Sequence, residues 1–220
     1  LHSQDLGTKT KIEREMSTLT NIHLRKYLKE DTLIVTPLLS EDQIGQISID
    51  VRLGNQFVVF RSHRLGIFEP FSKIVVEPRK VQERQIIRFG DNFILHPGVL
   101  ILGCTFEYIS IPNNLECQVE GRSSWARLGL QVVTASSIEP GFKGVVTLEL
   151  SNVGTIPLTL MPGIRIAQLV FHTADPPIEN PYSGRRKYRC PIGPEFSRLY
   201  NDYDWKIISD HKISDGSDVC

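Results

Sequence analysis

Residues 121–130 of the chain read Gly121-Arg122-Ser123-Ser124-Trp125-Ala126-Arg127-Leu128-Gly129-Leu130, and residues 144–150 read Gly144-Val145-Val146-Thr147-Leu148-Glu149-Leu150. The first stretch brings two arginines, two hydroxyl groups and short side chains into one tight segment, which suits a polyphosphate ligand. The second places a single carboxylate, Glu149, in an otherwise apolar strand. A buried carboxylate loses its hydration, so burial raises its pKa toward the range that is useful for proton transfer. Together the two stretches predict an enzyme that acts on a nucleotide.

Short runs of β-branched and aromatic residues, separated by turn residues, extend on both sides of these stretches. They predict strands at residues 33–35, 56–60, 73–76, 85–88, 93–95, 99–106, 108–111, 130–134, 144–150, 156–160 and 165–171. Glycine and proline turns separate these runs, for example at Gly54, Gly90, Pro140-Gly141 and Pro162-Gly163. Many short strands with this punctuation are typical of an antiparallel sandwich or barrel, so we expect a mainly β fold of the jelly-roll kind.

Two short helices are expected within this pattern. Residues 21–29 carry apolar side chains at helical spacing, and Thr20 or Asn21 is able to cap the first turn. Residues 123–128 form the second helical segment, which interrupts the strands. The N-terminus of a helix at this point would present unpaired backbone N–H groups to an anion, which agrees with the phosphate interpretation.

Length and charge narrow the classes of protein to consider. A chain of 220 residues builds one substantial core and is short for two domains. We expect a flexible extension at 1–19, one domain at 20–203 and a tail at 204–220; within the domain, residues 172–203 are rich in proline, glycine and basic residues and predict an arm or lid.

The net charge is zero, with 25 basic and 25 acidic residues, so neither a nucleic-acid nor a membrane partner is expected. No apolar run approaches the roughly 20 residues of a spanning helix, and the first residues lack the apolar stretch of a signal peptide. These features predict a soluble, cytoplasmic protein.

Five motifs, in order along the chain, resemble those of the dCTP deaminase family within the dUTPase-like superfamily. They are residues 48–57, Leu95-His96-Pro97-Gly98, residues 121–130, Pro162-Gly163 with residues 166–169, and Lys187-Tyr188, and they span about residues 20–203. The resemblance implies a homotrimer of distorted jelly-roll subunits, with active sites between subunits, that hydrolyses dCTP to dUTP and ammonia in pyrimidine deoxynucleotide metabolism. Two alternatives stay open: a bifunctional enzyme that yields dUMP and pyrophosphate, and a non-catalytic regulator that binds deoxynucleotides.

The resemblance also implies roles for the residues of the two opening stretches. Glu149 matches the catalytic general base, and Ser123 and Arg127 match residues that reach the reacting end of the pyrimidine in a neighbouring subunit's site. Arg122 and the nearby residues Ser124, Trp125 and Ala126 would hold phosphates. Main-chain groups around Ala135, Thr147 and Leu148 would recognise cytosine. The structural alternatives are a capped turn with solvated arginines for the first stretch, and a carboxylate paired with a structural arginine for Glu149.

Further family positions lie downstream. Glu139 stands where the family has an aspartate bonded to the 3′-hydroxyl of the sugar, and Phe142 matches a residue that stacks near the deoxyribose, although it is equally plausible in the core. Tyr182 and Lys187 match arm residues that contact the triphosphate, with a solvated basic tail as the alternative. Pro191 stands where the family usually has a glutamine. Gln168 corresponds to a position at the nucleotide in dUMP-forming members, or is a strand residue that faces solvent.

The remaining polar residues are expected to be structural. Asp50 and Arg52 lie on alternate positions of one strand and predict an ion pair at a subunit interface. His96 is expected to support a turn, and His63 and Trp205 are expected to be surface or packing residues.

The cysteine and histidine pattern bears on metal chemistry. Cys104, Cys117, Cys190 and Cys220 have no short paired spacing, and no histidine is followed two residues later by glutamate. Zinc-dependent cytosine deaminases need such a ligand set, so we expect reduced thiols and deamination without zinc. Mg²⁺ is expected to arrive with the triphosphate and to have no protein ligands of its own. The expected small-molecule partners are dCTP, with dTTP or dUTP as inhibitor or product.

Two substitutions bear on the product. Family members that stop at dUTP often have arginine where this chain has Ser137, and this serine, like Gln168, favours dUMP. Glu139 favours dUTP, because an acid longer by one methylene is misplaced for activating a second water at the α-phosphate. We expect dUTP as the main product.

Overall fold

The computed structural model of the chain describes residues 17–61, 81–133, 137–175, 177–179, 181–182, 187–188, 190–199 and 203. Most of this part of the chain is built from short strands. The elements are α1 Asn21–Lys29, β1 Ile34–Thr36, a 3₁₀ turn Glu41–Gln43, β2 Ser48–Arg52, β3 Gln56–Phe60, β4 Gln82–Ile86, β5 Phe93–Leu95, β6 Leu100–Ser110, β7 Leu115–Gly121, α2 Ser123–Ala126, β8 Leu130–Val133, β9 Lys143–Asn152, β10 Leu158–Leu160 and β11 Arg165–Thr173.

The described strands form three antiparallel sheets. The largest has the order β4-β3-β6-β9-β8, with β1 also paired to β6; the others are β2-β11-β7 and β10-β5. These sheets stay open and do not close into one barrel. The mainly β, jelly-roll-like fold predicted from the alternation of runs and turns is confirmed.

Strand β9 shows how the sequence pattern creates two faces. Its even-numbered apolar residues Val146, Leu148 and Leu150 are buried in the core. The odd-numbered residues, which include Thr147 and Glu149, are only partly buried and lie on the opposite face. Successive side chains of a strand point to opposite sides of the sheet, so Glu149 belongs to the outer face of the large sheet.

Several predicted elements agree with the structure, and the differences have local causes. The bounds of α1, β3 and β5 are as predicted. The runs 99–106 and 108–111 form one strand, β6, with a register shift between Cys104 and Tyr108. At this irregularity the Val146 N–H donates to the Thr105 hydroxyl, 2.9 Å away, so a side chain replaces the missing ladder bond. The predicted strand 73–76 lies outside the described residues.

The ends of the helices also differ from expectation. Helix α2 stops at Ala126 instead of residue 128, ahead of Gly129, whose φ of 92° ends the segment. Thr20 precedes α1, but its side chain makes no capping bond and instead contacts the His23 ring.

One strand was not predicted. Strand β7 alternates apolar and polar residues over Leu115–Gly121, with Leu115 and Cys117 buried, so its period-two signal is present in the sequence. Strand β2 was expected only as the strand that carries Asp50 and Arg52, without stated bounds. Together with β11, these two strands form the second sheet.

The expected Asp50–Arg52 ion pair is wrong. The Arg52 guanidinium lies 3.3 Å from Glu107, whose side chain is fully buried and also accepts bonds from the Arg52 backbone N–H and the Gln43 amide. Asp50 instead faces Arg122 and Arg165. Each side chain therefore finds a partner on another segment in place of its neighbour two residues away.

The remaining expectations concern single residues and the two ends of the chain. His96 is exposed in its turn, and Cys104, Cys117 and Cys190 form no disulfide. His63, Ala135, Trp205, Cys220 and residues 1–16 and 204–220 lie outside the described residues. No helix in the described ranges is long and apolar enough to cross a bilayer.

Candidate active site

A cavity of about 790 Å³ lies against the outer face of the large sheet, and arm residues line its other side: Tyr182, Lys187, Tyr188, Pro191, Glu195 and Ser197. Six residues of the predicted nucleotide-binding site line this one space: Glu139, Phe142, Thr147, Glu149, Tyr182 and Lys187. They come from β9, from the turn before it and from the C-terminal arm. The structure therefore brings together side chains that are up to 48 residues apart in the sequence.

Glu149 lies on β9, one strand in from the β8 edge of the large sheet, with Leu102 of β6 on one side and Val133 of β8 on the other. Its Oε2 atom is buried, and no hydrogen-bond partner for this atom is found among the described residues. Burial raises the pKa of the Glu149 carboxyl, and a backbone hydrogen bond to it opposes part of that rise. A carboxyl with a raised pKa takes up a proton more readily than an exposed glutamate does, which is the property that a general base needs.

The turn before β9 delivers Glu139 and Phe142 to the cavity. The Phe142 N–H donates to the Glu139 carbonyl at 3.2 Å, and the Ile111 N–H donates to the Phe142 carbonyl at 2.9 Å. The Phe142 ring is 5.8 Å from the Tyr182 ring and tilted by 60°. Phe142 thus belongs to the core and lines the cavity at the same time, so both interpretations of this residue hold.

The arm segment at residues 191–196, which we call the strap, crosses the outer face of the large sheet. The Pro191 carbonyl accepts from the Val145 N–H at 2.9 Å, and the Pro194 carbonyl accepts from the Arg84 guanidinium at 3.0 Å. The Glu195 N–H donates to the Thr147 hydroxyl at 3.5 Å. The Gln56 amide of β3 also donates to the Ile192 carbonyl at 3.3 Å. Three strands, β3, β4 and β9, therefore hold the strap by its main chain, and Pro191 contributes a carbonyl at the position for which the resemblance implied a glutamine side chain.

Further arm residues next to the strap also line the cavity and bond to one another. The Tyr182 hydroxyl donates to the Tyr188 carbonyl at 2.7 Å, and the Arg198 backbone N–H donates to the Tyr188 hydroxyl at 3.2 Å. Arg198 also pairs with Glu195 at 2.8 Å. The arm is thus tied to itself as well as to the sheet.

The phosphate-binding candidates form a separate group. Residues 122–127 do not line the cavity. Leu130, which follows α2, pairs with Asn152, whereas the cavity extends from Glu149 toward Val145 at the other end of β9. Ser123, Ser124, Ala126 and Arg127 are exposed. Within the chain, α2 therefore lies outside the cavity that Glu149 lines.

Gln168 and Leu148, two further predicted site residues, do not line the cavity either. Gln168 lies on β11 of the second sheet, where its side chain accepts a bond from the Ser48 hydroxyl at 3.3 Å. The Leu148 side chain is fully buried in the core, so only its backbone is available to a ligand from the outer face. Trp125 uses its indole N–H to bond the Arg165 carbonyl at 3.0 Å.

Several residues that line the cavity were not predicted. Leu102 is the cross-strand neighbour of Glu149, and Phe60, Gln82 and Glu195 approach from β3, β4 and the strap. Tyr188 was noted only as part of a motif. The register that pairs Leu102 with Glu149 is a property of two strands at once, so no pattern within one segment marks these residues.

Within the described ranges, no three histidine, cysteine, aspartate or glutamate side chains are arranged to hold a metal ion.

The sequence and the fold are similar to those of known proteins. A family profile described as dCTP deaminase-like matches residues 18–174. A protein of Methanobrevibacter smithii named dCTP deaminase, dUMP-forming, is 40% identical over 195 residues, which cover 87% of this chain and 100% of the relative. A protein of Haloarcula marismortui named dCTP deaminase is 40% identical over 191 residues, which cover 85% and 97% of the two chains.

One solved structure supports the fold. The 2′-deoxycytidine 5′-triphosphate deaminase from Agrobacterium tumefaciens superimposes with a TM-score of 0.57 at 22% identity, over 73% of this chain and 49% of that one. At this level of identity the likeness concerns the fold alone.

Proposed function

The chain belongs to the dCTP deaminase-like family, and from this premise we propose that it hydrolyses the 4-amino group of dCTP. The proposal is carried by Glu149, whose carboxylate lies on the cavity face of β9. Its Oε2 atom is buried and has no hydrogen-bond partner among the described residues, and its pKa is raised by burial. A buried unmatched oxygen is costly for the fold, and a bound water or substrate would supply its missing partner.

Deamination requires two proton transfers, and we assign both of them to Glu149. Glu149 takes a proton from water as the water oxygen bonds to C4 of cytosine and passes this proton to N3, so a tetrahedral centre with a C4 hydroxyl forms. Glu149 then moves the remaining hydroxyl proton to the amino group as the C4–N bond breaks, which leaves the C4 carbonyl and N3–H of uracil, and ammonia. General acid–base catalysis of this kind contributes about 10²–10⁴-fold to a rate when the carboxyl pKa lies near the working pH.

The cavity residues around Glu149 are assigned to the rest of the nucleotide. Glu139 and Phe142 would contact the deoxyribose, and Tyr182 and Lys187 would contact the triphosphate. Main-chain groups near Thr147 would recognise the cytosine ring. Mg²⁺ enters with the triphosphate as part of the substrate, and no step at C4 is assigned to it.

We assign Ser123 and Arg127 to the site of a neighbouring subunit in a homotrimer. Their exposure, and the position of α2 at the far end of β9 from the cavity, support this arrangement. In the shared site, Ser123 would place the attacking water. Arg127 would offset the charge that develops at C4 and help to keep Glu149 ionised.

The product proposed is dUTP, and the second candidate is dUMP with pyrophosphate. Glu139 supports dUTP, since the family aspartate is replaced by a longer acid. Ser137 and Gln168 favour dUMP, and relatives with the same identity of 40% carry each of the two names. Gln168 lies on the second sheet, outside the cavity of its own subunit, so any contact with a nucleotide would be with a neighbour's.

One incubation tests the proposal. The protein is mixed with dCTP and Mg²⁺, released ammonia is measured, and the nucleotides are separated by anion-exchange chromatography at several times. Ammonia equal to the dCTP consumed, with dUTP accumulating, is expected. Binding of dCTP without ammonia would assign the chain to nucleotide-binding regulators, and dUMP without free dUTP at any time would establish the bifunctional reaction.

The zinc-free mechanism has its own control. Activity is expected to survive a zinc-selective chelator while Mg²⁺ is kept in excess. Loss of activity that only zinc restores would overturn the metal-free proposal.

A further inference from the structure

Helix α2 has only four residues, Ser123–Ala126. A helix of this length is not stable by itself, because nucleation costs more than one turn of hydrogen bonds returns. Its orientation must therefore come from attachments to the rest of the fold. The side chains of Ser123 and Arg127 make no hydrogen bond or ion pair with any residue in the described part of the chain, so the attachments lie elsewhere.

Both attachments lead to one residue of β11. The Arg165 carbonyl accepts a bond from the Trp125 indole N–H at 3.0 Å and a second from the Arg122 guanidinium at 3.4 Å. Arg122 is the residue that caps the N-terminal end of α2. The carbonyl of Arg165 thus holds the helix at its first turn and at its N-cap.

Asp50 of β2 connects the side chains of the same two arginines. Its Oδ2 atom lies 3.4 Å from Arg122 Nη2 and 3.4 Å from Arg165 Nη1. The exposed fraction of the Asp50 side chain is only 16%, so this bridge is less screened by water than a surface pair. A second carboxylate, Asp42, pairs with Arg165 at 2.8 Å but is 68% exposed.

We propose that Asp50 is a positioning residue for catalysis: through Arg122 and Arg165 it sets the orientation in which α2 presents Ser123 and Arg127 to the neighbouring subunit. The inference rests on the proposed function, in which α2 serves the neighbour's cavity. Asp50 does not line the cavity of its own chain, so its effect on that cavity's chemistry would have to pass through α2.

Arg122 then has two roles, attachment of α2 and binding of a phosphate. One guanidinium nitrogen faces Asp50, another faces the Arg165 carbonyl, and the side chain keeps an exposed fraction of 34%. The exposed part remains available to a phosphate. Without Asp50, the Arg122 guanidinium would keep only its bond to the Arg165 carbonyl, so the direction in which Arg122 holds α2 would be less fixed.

Kinetics of single variants give the first test. Asp50→Asn keeps the size of the side chain and removes its charge, and kcat for dCTP is expected to fall by about 10–100-fold, since displacement of a catalytic group by about 1 Å costs up to a hundredfold. Asp42→Asn is the matched control, because it removes the other carboxylate on Arg165 and leaves the Asp50 bridge intact. A change of kcat below about threefold is expected for this control. Wild-type kcat in Asp50→Asn would overturn the proposal.

Mixed trimers give the second test and separate positioning from general damage to the fold. Chains with Asp50→Ala are co-expressed at equal amounts with Glu149→Gln chains, or with Ser123→Ala chains, under two affinity tags. The first mixture, purified on both tags, is expected to recover about one third of wild-type activity, because each trimer that contains both kinds of chain joins two intact half-sites at one of its three interfaces. The second mixture is expected to stay inactive, since both chains then carry a defective α2 half-site.

The control mixture of Ser123→Ala with Glu149→Gln distinguishes failure of this inference from failure of the proposed function. Recovery in the control establishes shared sites; an inactive control overturns them, and the inference with them. When the control is active, the role of Asp50 requires two results: Asp50→Ala with Glu149→Gln recovers activity, and Asp50→Ala with Ser123→Ala stays inactive. Any other pattern would overturn the role of Asp50 and leave the shared sites in place.

Discussion

Pro191 lies directly over Gly144, and the absence of a side chain on Gly144 makes this contact possible. A Cβ atom built on Gly144 would come within 2.5 Å of Pro191 Cδ and 2.8 Å of the Pro191 carbonyl oxygen. The φ angle of Gly144 is 144°, a value that other residues rarely adopt. The next residue, Val145, donates its N–H to the same carbonyl at 2.9 Å. The first residue of the strap is therefore seated on the strand that carries Glu149.

Gly144→Ala is expected to displace the strap and weaken nucleotide binding. The added methyl group collides with Pro191, so Lys187, Tyr188 and Glu195 lose their positions along the cavity. We expect KM for dCTP to rise about tenfold, equal to ~1.4 kcal/mol, with a smaller change in kcat. Hydrogen exchange at the Val145 amide should accelerate in parallel.

Gly90→Ala is the matched control for this substitution. Gly90 also has a positive φ, of 96°, but nothing lies within 4 Å of its Cβ position. The control therefore reports backbone strain without a collision, and its KM should equal that of the wild type. An unchanged KM in Gly144→Ala would show that the strap contributes nothing to binding.

Glu149→Gln is expected to abolish deamination and to leave dCTP binding measurable by calorimetry. The amide keeps the shape of the side chain and removes the base, so the loss should appear in kcat. Glu116→Gln is a suitable control, since Glu116 lies on β7 of the second sheet and does not line the cavity. Wild-type turnover in Glu149→Gln would make this residue structural.

The dependence of activity on pH follows from the raised pKa of Glu149. The carboxylate is the active form of the base, so kcat/KM should fall as pH decreases through the pKa of this residue. Because burial raises that pKa above the ordinary value of 4.5, the midpoint of the acid limb should lie above 4.5. A ¹³C titration of the Glu149 carboxyl in the free protein should give the same midpoint and excludes titration of cytosine as its cause. A carboxyl that titrates at or below the ordinary value would contradict the assignment.

Glu139→Asp is expected to increase the fraction of dUMP among the products. The shorter acid restores the family residue at this cavity position, where it is able to place a second water near the α-phosphate. Anion-exchange chromatography of dCTP reactions at equal conversion measures the ratio of dUMP to dUTP. Phe142→Tyr, at another cavity position, tests whether any change near the sugar has the same effect. A ratio that does not move in Glu139→Asp would remove Glu139 as the cause of dUTP release.

The sequence pattern agrees with the structure at β9 and fails at Asp50. The alternation of residues 144–150 predicted the strand and isolated Glu149, because period-two burial is a local property that one segment expresses by itself. The same local logic failed for Asp50 and Arg52. Their partners are set by packing among β2, β6, β11 and α2, and a charge two residues away does not compete with a closer charge on another segment.

The family, the mainly β fold, α1, and the candidate base Glu149 were available from the sequence, because they rest on residue types at short and regular spacings. The tertiary structure alone decided that Glu139, Phe142, Tyr182 and Lys187 meet Glu149 in one cavity, that Pro191 is seated on Gly144, and that α2 lies outside its own chain's cavity. Contacts of this kind depend on strand register and on the path of the arm. Both are settled by the simultaneous packing of many segments, so no single stretch of sequence contains them.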